Sequence, residues 1–247
     1  MQDLRDRYLT LLRDSISDAC FKIKIVDGEK VYPEEIAQGK IWPSEAVSMI
    51  GLARLNNIRE LLEVVFREKV EGDFLEAGVW RGGACIFAKG VIDAHQEERK
   101  VIVADSFQGL PPPDPKYVHD AGARWHTFEA LAVSEEQVKD NFQKFSLLDD
   151  QVVFLKGFFS DTLFSPSLPF EKLSVLRLDG DMYSSTIQTL EALYDKVSPG
   201  GFIIVDDYLS CPGCARAVED FRKARDITDP IVKVDWTGVY WRKLGEN

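Results

Sequence analysis

Two apolar runs in the second half of the chain each end in a pair of acidic residues. The runs are residues 175–178 and 202–205, and the pairs are Asp179 with Asp181 and Asp206 with Asp207. If the runs are neighbouring strands of a parallel sheet, the acids meet at its carboxyl edge, where such sheets bind their ligands. Carboxylates crowded together raise one another's pKa unless a cation lies between them. Because oxygen ligands alone suit Mg²⁺, Ca²⁺ or Mn²⁺, we predict a divalent metal site at this edge.

A glycine-rich turn follows an earlier apolar run, residues 74–77. Its glycines are Gly78, Gly82 and Gly83. Glycines between a strand and a helix allow the charged end of a ligand to approach the backbone and the helix N-terminus. The next run, residues 101–104, is followed by Asp105. An acid at this strand tip can accept hydrogen bonds from both ribose hydroxyls of a nucleoside. With Glu76, these features predict a nucleoside cofactor.

The third run, residues 152–155, is followed by Phe158, Ser160 and Asp161. These side chains would cover an adenine ring and hydrogen-bond to it. The alternative is that Ser160 or Asp161 caps a short helix, and the sequence leaves both interpretations open.

From residue 73 onward, short apolar runs alternate with helical stretches. The five runs are residues 74–77, 101–104, 152–155, 175–178 and 202–205, and the helical stretches are 83–94, a segment from Ser134, a short stretch near Asp161, 185–197 and 211–225. Residues 231–236 and 239–242 flank a Thr237-Gly238 turn and predict a terminal hairpin. This pattern predicts a doubly wound α/β sheet in a single domain of residues 1–247, with a core over 71–247.

Residues 1–70 form a predicted helical extension of that core. The first twenty residues have an amphipathic helical period, and Pro43 is expected to open a long helix that stops before Gly72. Between them, the irregular stretch 21–43 contains a turn signal, Asp27-Gly28, and is interpreted as a lid or a subunit contact. A second irregular segment, residues 110–133, has four prolines within residues 110–116 and is predicted to be an active-site lid.

Composition narrows the range of ligands and locations. The chain of 247 residues carries a formal charge of −11, which argues against a nucleic-acid-binding surface and favours a neutral or cationic small molecule. No apolar run approaches the roughly 20 residues that span a bilayer, and the charged start is unlike a secretory signal. We therefore expect a cytoplasmic protein that does not bind membranes.

Five motifs together resemble one known family. EAGVWRGG, ADSFQG, LAVSEEQVKDNF, LRLDGDMYSST and VDDY occur in this order between Ile41 and Trp241. They resemble the macrocin-type (TylF-like) O-methyltransferases that act on deoxysugars of macrolide and aminocoumarin antibiotics. The resemblance implies a class I (Rossmann-like) methyltransferase fold with sheet order 3-2-1-4-5-7-6 and strand 7 antiparallel. It also implies Mg²⁺-dependent methylation of a sugar hydroxyl on a glycosylated natural product.

The same resemblance assigns roles to residues. The glycine turn would hold the methionine part of S-adenosylmethionine, Asp105 the ribose and the Asp161 loop the adenine. The predicted cofactor-binding residues are Met49, Glu76, Gly78, Arg81, Gly82, Gly83, Asp105, Ser106, Phe158, Ser160 and Asp161, and the predicted metal ligands are Asp179, Asp206 and Asp207. Members of the family use an N-terminal segment in dimer contacts, so a homodimer or higher homo-oligomer is expected.

The sequence leaves the general base open. Distantly related catechol-type methyltransferases place a lysine three residues after the first metal-binding acid, where this chain has Met182. The candidates here are Asp179, Asp181, His119 and His126, of which we favour Asp179. For Asp181 a structural alternative remains, namely an N-terminal cap of the helix predicted from Ser185.

Other functions compete with methyl transfer. An Asp-x-Asp motif also resembles a haloacid-dehalogenase-type phosphohydrolase, although that class needs Thr or Val where this chain has Tyr183. A non-catalytic nucleoside-binding protein would leave the acids unexplained. Cys211 and Cys214 have the spacing of a redox pair but follow the fifth strand, so we interpret them as structural.

Three tryptophans are ambiguous. Trp42, Trp80 and Trp125 would stack on the faces of a sugar or macrocycle, or they belong to the core.

Overall fold

The computed structural model describes residues 2–20, 24–26, 29–31 and 33–245. The strands of this part of the chain are β1 (Lys24–Val26), β2 (Glu29–Val31), β3 (Asp73–Ala77), β4 (Val101–Asp105), β5 (Val152–Lys156), β6 (Leu173–Leu178), β7 (Val197–Val205), β8 (Val232–Lys233) and β9 (Val239–Arg242). Strands β3 to β9 form one sheet in the order β5-β4-β3-β6-β7-β9-β8. Counted along the sheet-forming part of the chain, this order is 3-2-1-4-5-7-6. β9, which is strand 7 in this count, is antiparallel to both of its neighbours, β7 and β8, as predicted.

The helices cover both faces of the sheet. They are α1 (Gln2–Ile16), α2 (Pro33–Ala37), α3 (Gly51–Glu68), α4 (Gly83–Ala94), α5 (Glu135–Lys144), α6 (Phe159–Thr162), α7 (Tyr183–Leu193) and α8 (Pro212–Ala224). Successive strand residues point to opposite faces, so Phe74 joins a core with α1, α3, α4 and α5, whereas Leu75 joins a core with α7 and α8. Strands buried on both faces explain the continuous apolar runs of the sequence.

The long helix of the N-terminal extension begins later than predicted. The helical pattern suggested a start at Pro43, but α3 begins at Gly51. Tertiary hydrogen bonds hold the preceding segment in a non-helical path: the backbone N–H groups of Val47 and Ser48 both donate to the Ile16 carbonyl at the end of α1. The helix ends at Glu68, where Lys69 adopts a left-handed conformation, and therefore stops before Gly72 as predicted.

The other boundaries agree more closely with the sequence. α4 has the predicted limits, and α5 begins after Ser134, whose hydroxyl accepts the Gln137 backbone N–H at 3.2 Å. α7 starts at Tyr183, two residues before the predicted position. The first strand of the terminal hairpin shortens to Val232–Lys233.

The irregular segments acquire local structure. β1 and β2 pair antiparallel, a hairpin that the sequence did not predict, while the Asp27-Gly28 turn signal lies outside the described residues. The segment 110–133 is an extended proline-containing loop followed by three short 3₁₀ turns. Across the described ranges, no helix is both long and apolar enough to cross a membrane.

Candidate active site

A cavity of about 540 Å³ opens at the carboxyl edge of the parallel strands. Its walls come from the ends of β3, β4, β6 and β7, from the segment 110–133, from residues 39–50 and from the turn before β9. Most predicted site residues line this cavity: Met49, Glu76, Gly78, Gly83, Asp105, Ser106, Phe158, Ser160, Asp179, Asp181, Asp206 and Asp207. The fold thus brings the predicted nucleoside and metal sites into one space. Their binding roles remain predictions.

The glycine turn touches the first acid pair directly. Gly78 has a left-handed φ of +91°, and a Cβ added there would overlap the Asp179 carbonyl oxygen. Only glycine allows this approach. At Gly83 an added Cβ would overlap the Val47 carbonyl oxygen, so the turn also packs closely against residues 47–48. The glycines therefore place the backbone of the turn beside the acids.

Asp105 organises the same turn. Its carboxylate accepts the backbone N–H of Val79 at 2.8 Å and that of Phe107 at 2.8 Å. Burial raises the pKa of Asp105, and these hydrogen bonds oppose that rise because they favour the charged form. Ser106 is tied to the following loop, since its hydroxyl donates to the Gly109 carbonyl at 2.7 Å.

The predicted metal ligands converge. Asp179, Asp206 and Asp207 each offer a carboxylate oxygen, and these oxygens lie within 4.8 Å of one another. A second group with the same mutual limit consists of Asp181, Asp207 and Cys211. Parallel pairing of β6 with β7 produces this convergence, because Leu178 and Val205, the last residue of each strand, are partners in the sheet.

Two arginines that the sequence analysis missed lie among these acids. Arg177 is fully buried and its guanidinium pairs with Glu76, Asp179 and Asp206. Arg54 of α3 pairs with the second oxygen of Asp206 and, at 3.0 Å, with Asp235. A signal existed in the sequence, since a charged residue inside an apolar strand must find a buried partner. Glu76 and Arg177 are such residues, and they are partners across β3 and β6.

The acids outnumber these guanidinium groups, and their pKa values reflect it. Burial, with the Asp206 charge next, raises the pKa of Asp179 to about 6. Burial, with the Asp179 charge next, raises the pKa of Asp181 to about 7, and the pKa of Asp207 is raised well above its usual value for the same kinds of reason. The site therefore has an excess of crowded carboxylate oxygens, which a hard divalent cation fits.

The capping alternative for Asp181 is wrong. Asp181 adopts a left-handed φ of +57°, and α7 receives no side-chain cap from it. Asp120, a buried residue of the segment 110–133, accepts the backbone N–H groups of Tyr183 at 2.7 Å and Ser184 at 2.9 Å. Sequence reasoning missed Asp120, because the cap comes from about sixty residues upstream rather than from the preceding turn.

Several predicted site residues lie away from the cavity wall. Gly82 caps α4 and faces Val138 rather than the cavity. Asp161 accepts a hydrogen bond from the exposed Ser160 hydroxyl at 3.0 Å and does not line the cavity. His126 and His119 are exposed and also lie outside the lining. This placement favours Asp179 or Asp181 over a histidine as the base.

Arg81 also lies away from the cavity wall, and its cofactor-binding role stays a prediction. It is not among the lining residues, and its guanidinium donates to the carbonyls of Pro43 at 3.2 Å, Ser44 at 2.9 Å and Ala46 at 2.8 Å. These bonds also hold residues 43–46 out of α3.

The cysteines at 211 and 214 are free thiols. Burial raises the pKa of the Cys211 thiol, and that of Cys214 is raised well above its usual value. A raised thiol pKa disfavours the thiolate that redox chemistry needs, so nothing here supports the redox alternative.

All three ambiguous tryptophans, Trp42, Trp80 and Trp125, line the cavity.

Residues 7–243 match a family model described as Macrocin-O-methyltransferase (TylF). The chain belongs to this family. It is therefore an S-adenosylmethionine-dependent O-methyltransferase, as the sequence motifs predicted. Membership excludes the phosphohydrolase and the non-catalytic binder.

Similar proteins span nearly the whole chain. Demethyldecarbamoylnovobiocin O-methyltransferase of Streptomyces niveus is 49% identical over 219 residues, covering 87% of this chain and 83% of the relative. A 8-demethyl-8-(2,3-dimethoxy-alpha-L-rhamnosyl)-tetracenomycin-C 4'-O-methyltransferase of Streptomyces olivaceus is 45% identical over 249 residues, covering 98% and 94%. The solved structure of the O-methyltransferase NovP matches with a TM-score of 0.92 and 45% identity, covering 98% of this chain and 100% of that one. The class I methyltransferase fold is thereby confirmed.

Proposed function

We propose that the enzyme transfers a methyl group from S-adenosylmethionine to a sugar hydroxyl of a glycosylated natural product, and that the reaction depends on Mg²⁺. One observation carries the proposal. The glycine turn at Gly78 lies against the backbone of Asp179, so the predicted cofactor site and the carboxylate group adjoin within one cavity. A sulfonium methyl and an acceptor hydroxyl need such proximity, because alignment is the main requirement of an in-line displacement.

The chain's own residues would bind and orient the two reactants. The turn backbone would contact the methionine part, Asp105 the ribose, and Phe158 with Ser160 the adenine. In the displacement, the acceptor oxygen forms a bond to the methyl carbon while the sulfur leaves as a neutral thioether. The hydroxyl proton passes to a carboxylate. We assign that role to Asp179, since it lines the cavity beside the turn.

The proposed metal ligands are Asp179, Asp206 and Asp207, whose converging oxygens fit a hard cation. A divalent cation bound there would act as a Lewis acid toward the acceptor hydroxyl and make its proton easier to remove. Arg177 pairs with one oxygen of Asp206 and Arg54 with the other, which fixes the orientation of this carboxylate.

The acceptor class rests on the relatives and on the cavity wall. The names of the relatives specify demethyldecarbamoylnovobiocin and a dimethoxyrhamnosyl tetracenomycin C. In this chain Trp42 and Trp125 line the cavity, and each makes a ring contact with Phe128, with centroids 5.8 Å apart. Such aromatic faces suit a sugar or a polyketide ring. We also propose that the segment 110–133, which contributes Trp125 to this wall, acts as a lid.

A binding and activity experiment tests the proposal. Calorimetry with S-adenosylhomocysteine measures cofactor binding. Methyl transfer is then measured with and without Mg²⁺ against a panel of glycosylated macrolides, aminocoumarins and anthracyclines. Asp179→Asn should abolish transfer and leave S-adenosylhomocysteine affinity within about three-fold, because one carboxylate of the acid group is lost and the turn is untouched.

Asp140→Asn makes the same chemical change on an exposed part of α5 and should behave as the wild type. Loss of nucleoside binding in Asp179→Asn would show that this residue belongs to the cofactor site instead. Full activity in the presence of a chelator would refute the Mg²⁺ requirement.

We also propose a homodimer or higher homo-oligomer. Leu4 and Leu11 of α1 are exposed on the surface of the isolated chain, and a second subunit would cover such an apolar face. Light scattering on the purified protein gives the mass directly, and a monomer at micromolar concentration would refute the proposal.

A further inference from the structure

Trp80, in the middle of the glycine turn, has an unusual backbone conformation. Its φ is +50°, in the left-handed region that bulky side chains rarely adopt. The turn keeps this conformation because Gly78 and Gly82 flank it with positive φ, and because Asp105 holds the preceding N–H of Val79 at 2.8 Å. A backbone outlier that neighbouring contacts enforce at a ligand site points to a functional constraint on the side chain.

The side chain of Trp80 connects this turn to the segment 110–133. Its ring lines the cavity, and the indole N–H donates to the Ala130 carbonyl at 2.8 Å. The Arg81 guanidinium lies 4.2 Å from the centre of the same ring. Arg81 in turn holds the carbonyls of residues 43–46. Through Trp80 and Arg81 the turn thus contacts both the segment 110–133 and the backbone of residues 43–46.

We propose that Trp80 is a positioning residue that fastens the segment 110–133 to the cofactor turn, so that cofactor binding and closure of this segment are energetically coupled. The proposal rests on the proposed function, because it needs the nucleoside to bind at the glycine turn. A nucleoside that immobilises the turn also immobilises the indole ring. The hydrogen bond to Ala130 then holds the segment closed for a larger fraction of the time.

Besides the Trp80 hydrogen bond, the ring of Trp42 contacts Phe128 of this segment, with centroids 5.8 Å apart, and the rest of the stretch is open to solvent. Residues 121, 122, 124 and 126–130 are exposed, and a Cβ added at Gly122 would meet no atom within 4 Å. At its other end, Asp120 is buried and fixed to the first turn of α7. Opening is therefore expected between Asp120 and the Trp80 contact, and Arg124 lies inside that stretch.

Trypsin measures this opening, because it cleaves after exposed arginine and lysine residues when the backbone is free to enter the protease. The full chain is digested with and without saturating S-adenosylhomocysteine, and the peptide ending at Arg124 is followed by mass spectrometry. In the wild type, S-adenosylhomocysteine should slow this cleavage. Trp80→Phe keeps a six-membered aromatic ring and removes the N–H donor together with the five-membered ring of the indole, and the control below removes the same atoms elsewhere. Protection is the ratio of the cleavage rate without S-adenosylhomocysteine to the rate with it. We expect this ratio to be roughly two- to twelve-fold smaller in Trp80→Phe than in the wild type, the range that corresponds to one net hydrogen bond.

Two measurements separate positioning from a general loss of structure. The S-adenosylhomocysteine affinity of Trp80→Phe should stay within about three-fold of the wild type, and its thermal midpoint should fall by no more than about 6 °C, the most that the loss of one net hydrogen bond produces in a chain of this size. Trp236→Phe is the matched control: its indole N–H also donates to a backbone carbonyl, that of Gln38 at 2.7 Å, but not to the segment 110–133. It should keep the protection at Arg124.

The proposal is overturned if Trp80→Phe is protected as well as the wild type, or if S-adenosylhomocysteine binds the wild type and leaves cleavage after Arg124 unchanged. Equal loss of protection in Trp236→Phe would also overturn it, since the effect would then not belong to Trp80. A wild-type protein that does not bind S-adenosylhomocysteine would instead refute the proposed cofactor site.

Discussion

Replacing Arg177 by methionine tests the idea that one buried cation allows several acids to share the carboxyl edge. Methionine replaces the apolar stem of arginine and removes the guanidinium with its charge. The side chain of Arg177 is fully buried, and those of its partners Glu76 and Asp206 are 2% and 4% exposed. The third partner, Asp179, accepts the guanidinium at 2.7 Å. The substitution therefore leaves buried carboxylates without their cation.

The expected loss of stability follows from these contacts. Removing one partner of a buried ion pair costs about 3–5 kcal/mol. Asp206 keeps its bond to Arg54, so the loss should be close to that of a single broken pair rather than the sum of three. The orphaned carboxyl groups can bind protons, so the loss should be smaller at about pH 5.5 than at about pH 8.

Urea unfolding of the metal-free protein, followed by tryptophan fluorescence at both pH values, measures this loss. Arg59→Met is the matched control, because Arg59 also pairs with two acids, Asp6 and Glu63, but its side chain is 23% exposed. Solvent screening limits such pairs, and we expect less than about 1 kcal/mol. If Arg177→Met costs no more than Arg59→Met at about pH 8, or if its cost does not depend on pH, the charge-balancing role is wrong.

The remaining predictions concern a helix cap, pH and thiol reactivity. Asp120→Ala removes both acceptors from the first turn of α7, and urea unfolding should show a loss of about 0.5–2 kcal/mol, whereas an unchanged midpoint would contradict the cap. Burial raises the pKa of Glu76 from 4.5 to about 7, so the folded protein holds a proton that the unfolded chain has released between these values. Stability contributed by this group is complete below the lower pKa and is lost as pH rises through the higher one, so the Tm of the metal-free protein should fall over this range. Glu76→Gln should flatten that slope, and an equally steep slope in the variant would rule out Glu76 as its source. Iodoacetamide at neutral pH should label the exposed Cys20 much faster than Cys211, whose thiol pKa is raised, and equal rates by mass spectrometry would contradict that assignment.

The sequence by itself determined the order and direction of the elements. Each buried strand required a continuous apolar run, and the glycines and acids at the strand ends marked the carboxyl edge of the sheet. Local signals were sufficient where the stabilising partner is close in the chain, as at α5, where Ser134 caps a backbone N–H three residues later. The family motifs were long enough to identify the enzyme class as well.

Tertiary structure decided everything that depends on partners distant in the chain. α3 starts at Gly51 rather than Pro43 because the backbone of residues 43–48 hydrogen-bonds to Arg81 and to the end of α1 instead of forming a helix. The cap of α7 came from Asp120, and the charges at the acid group were balanced by Arg54 and Arg177, which the chain separates from Asp206 by 152 and 29 residues. Periodicity reports which face of an element is buried, but it carries no information about which distant polar group will meet that face. For this reason the acids of the site were evident from the sequence, and their arginine partners were not.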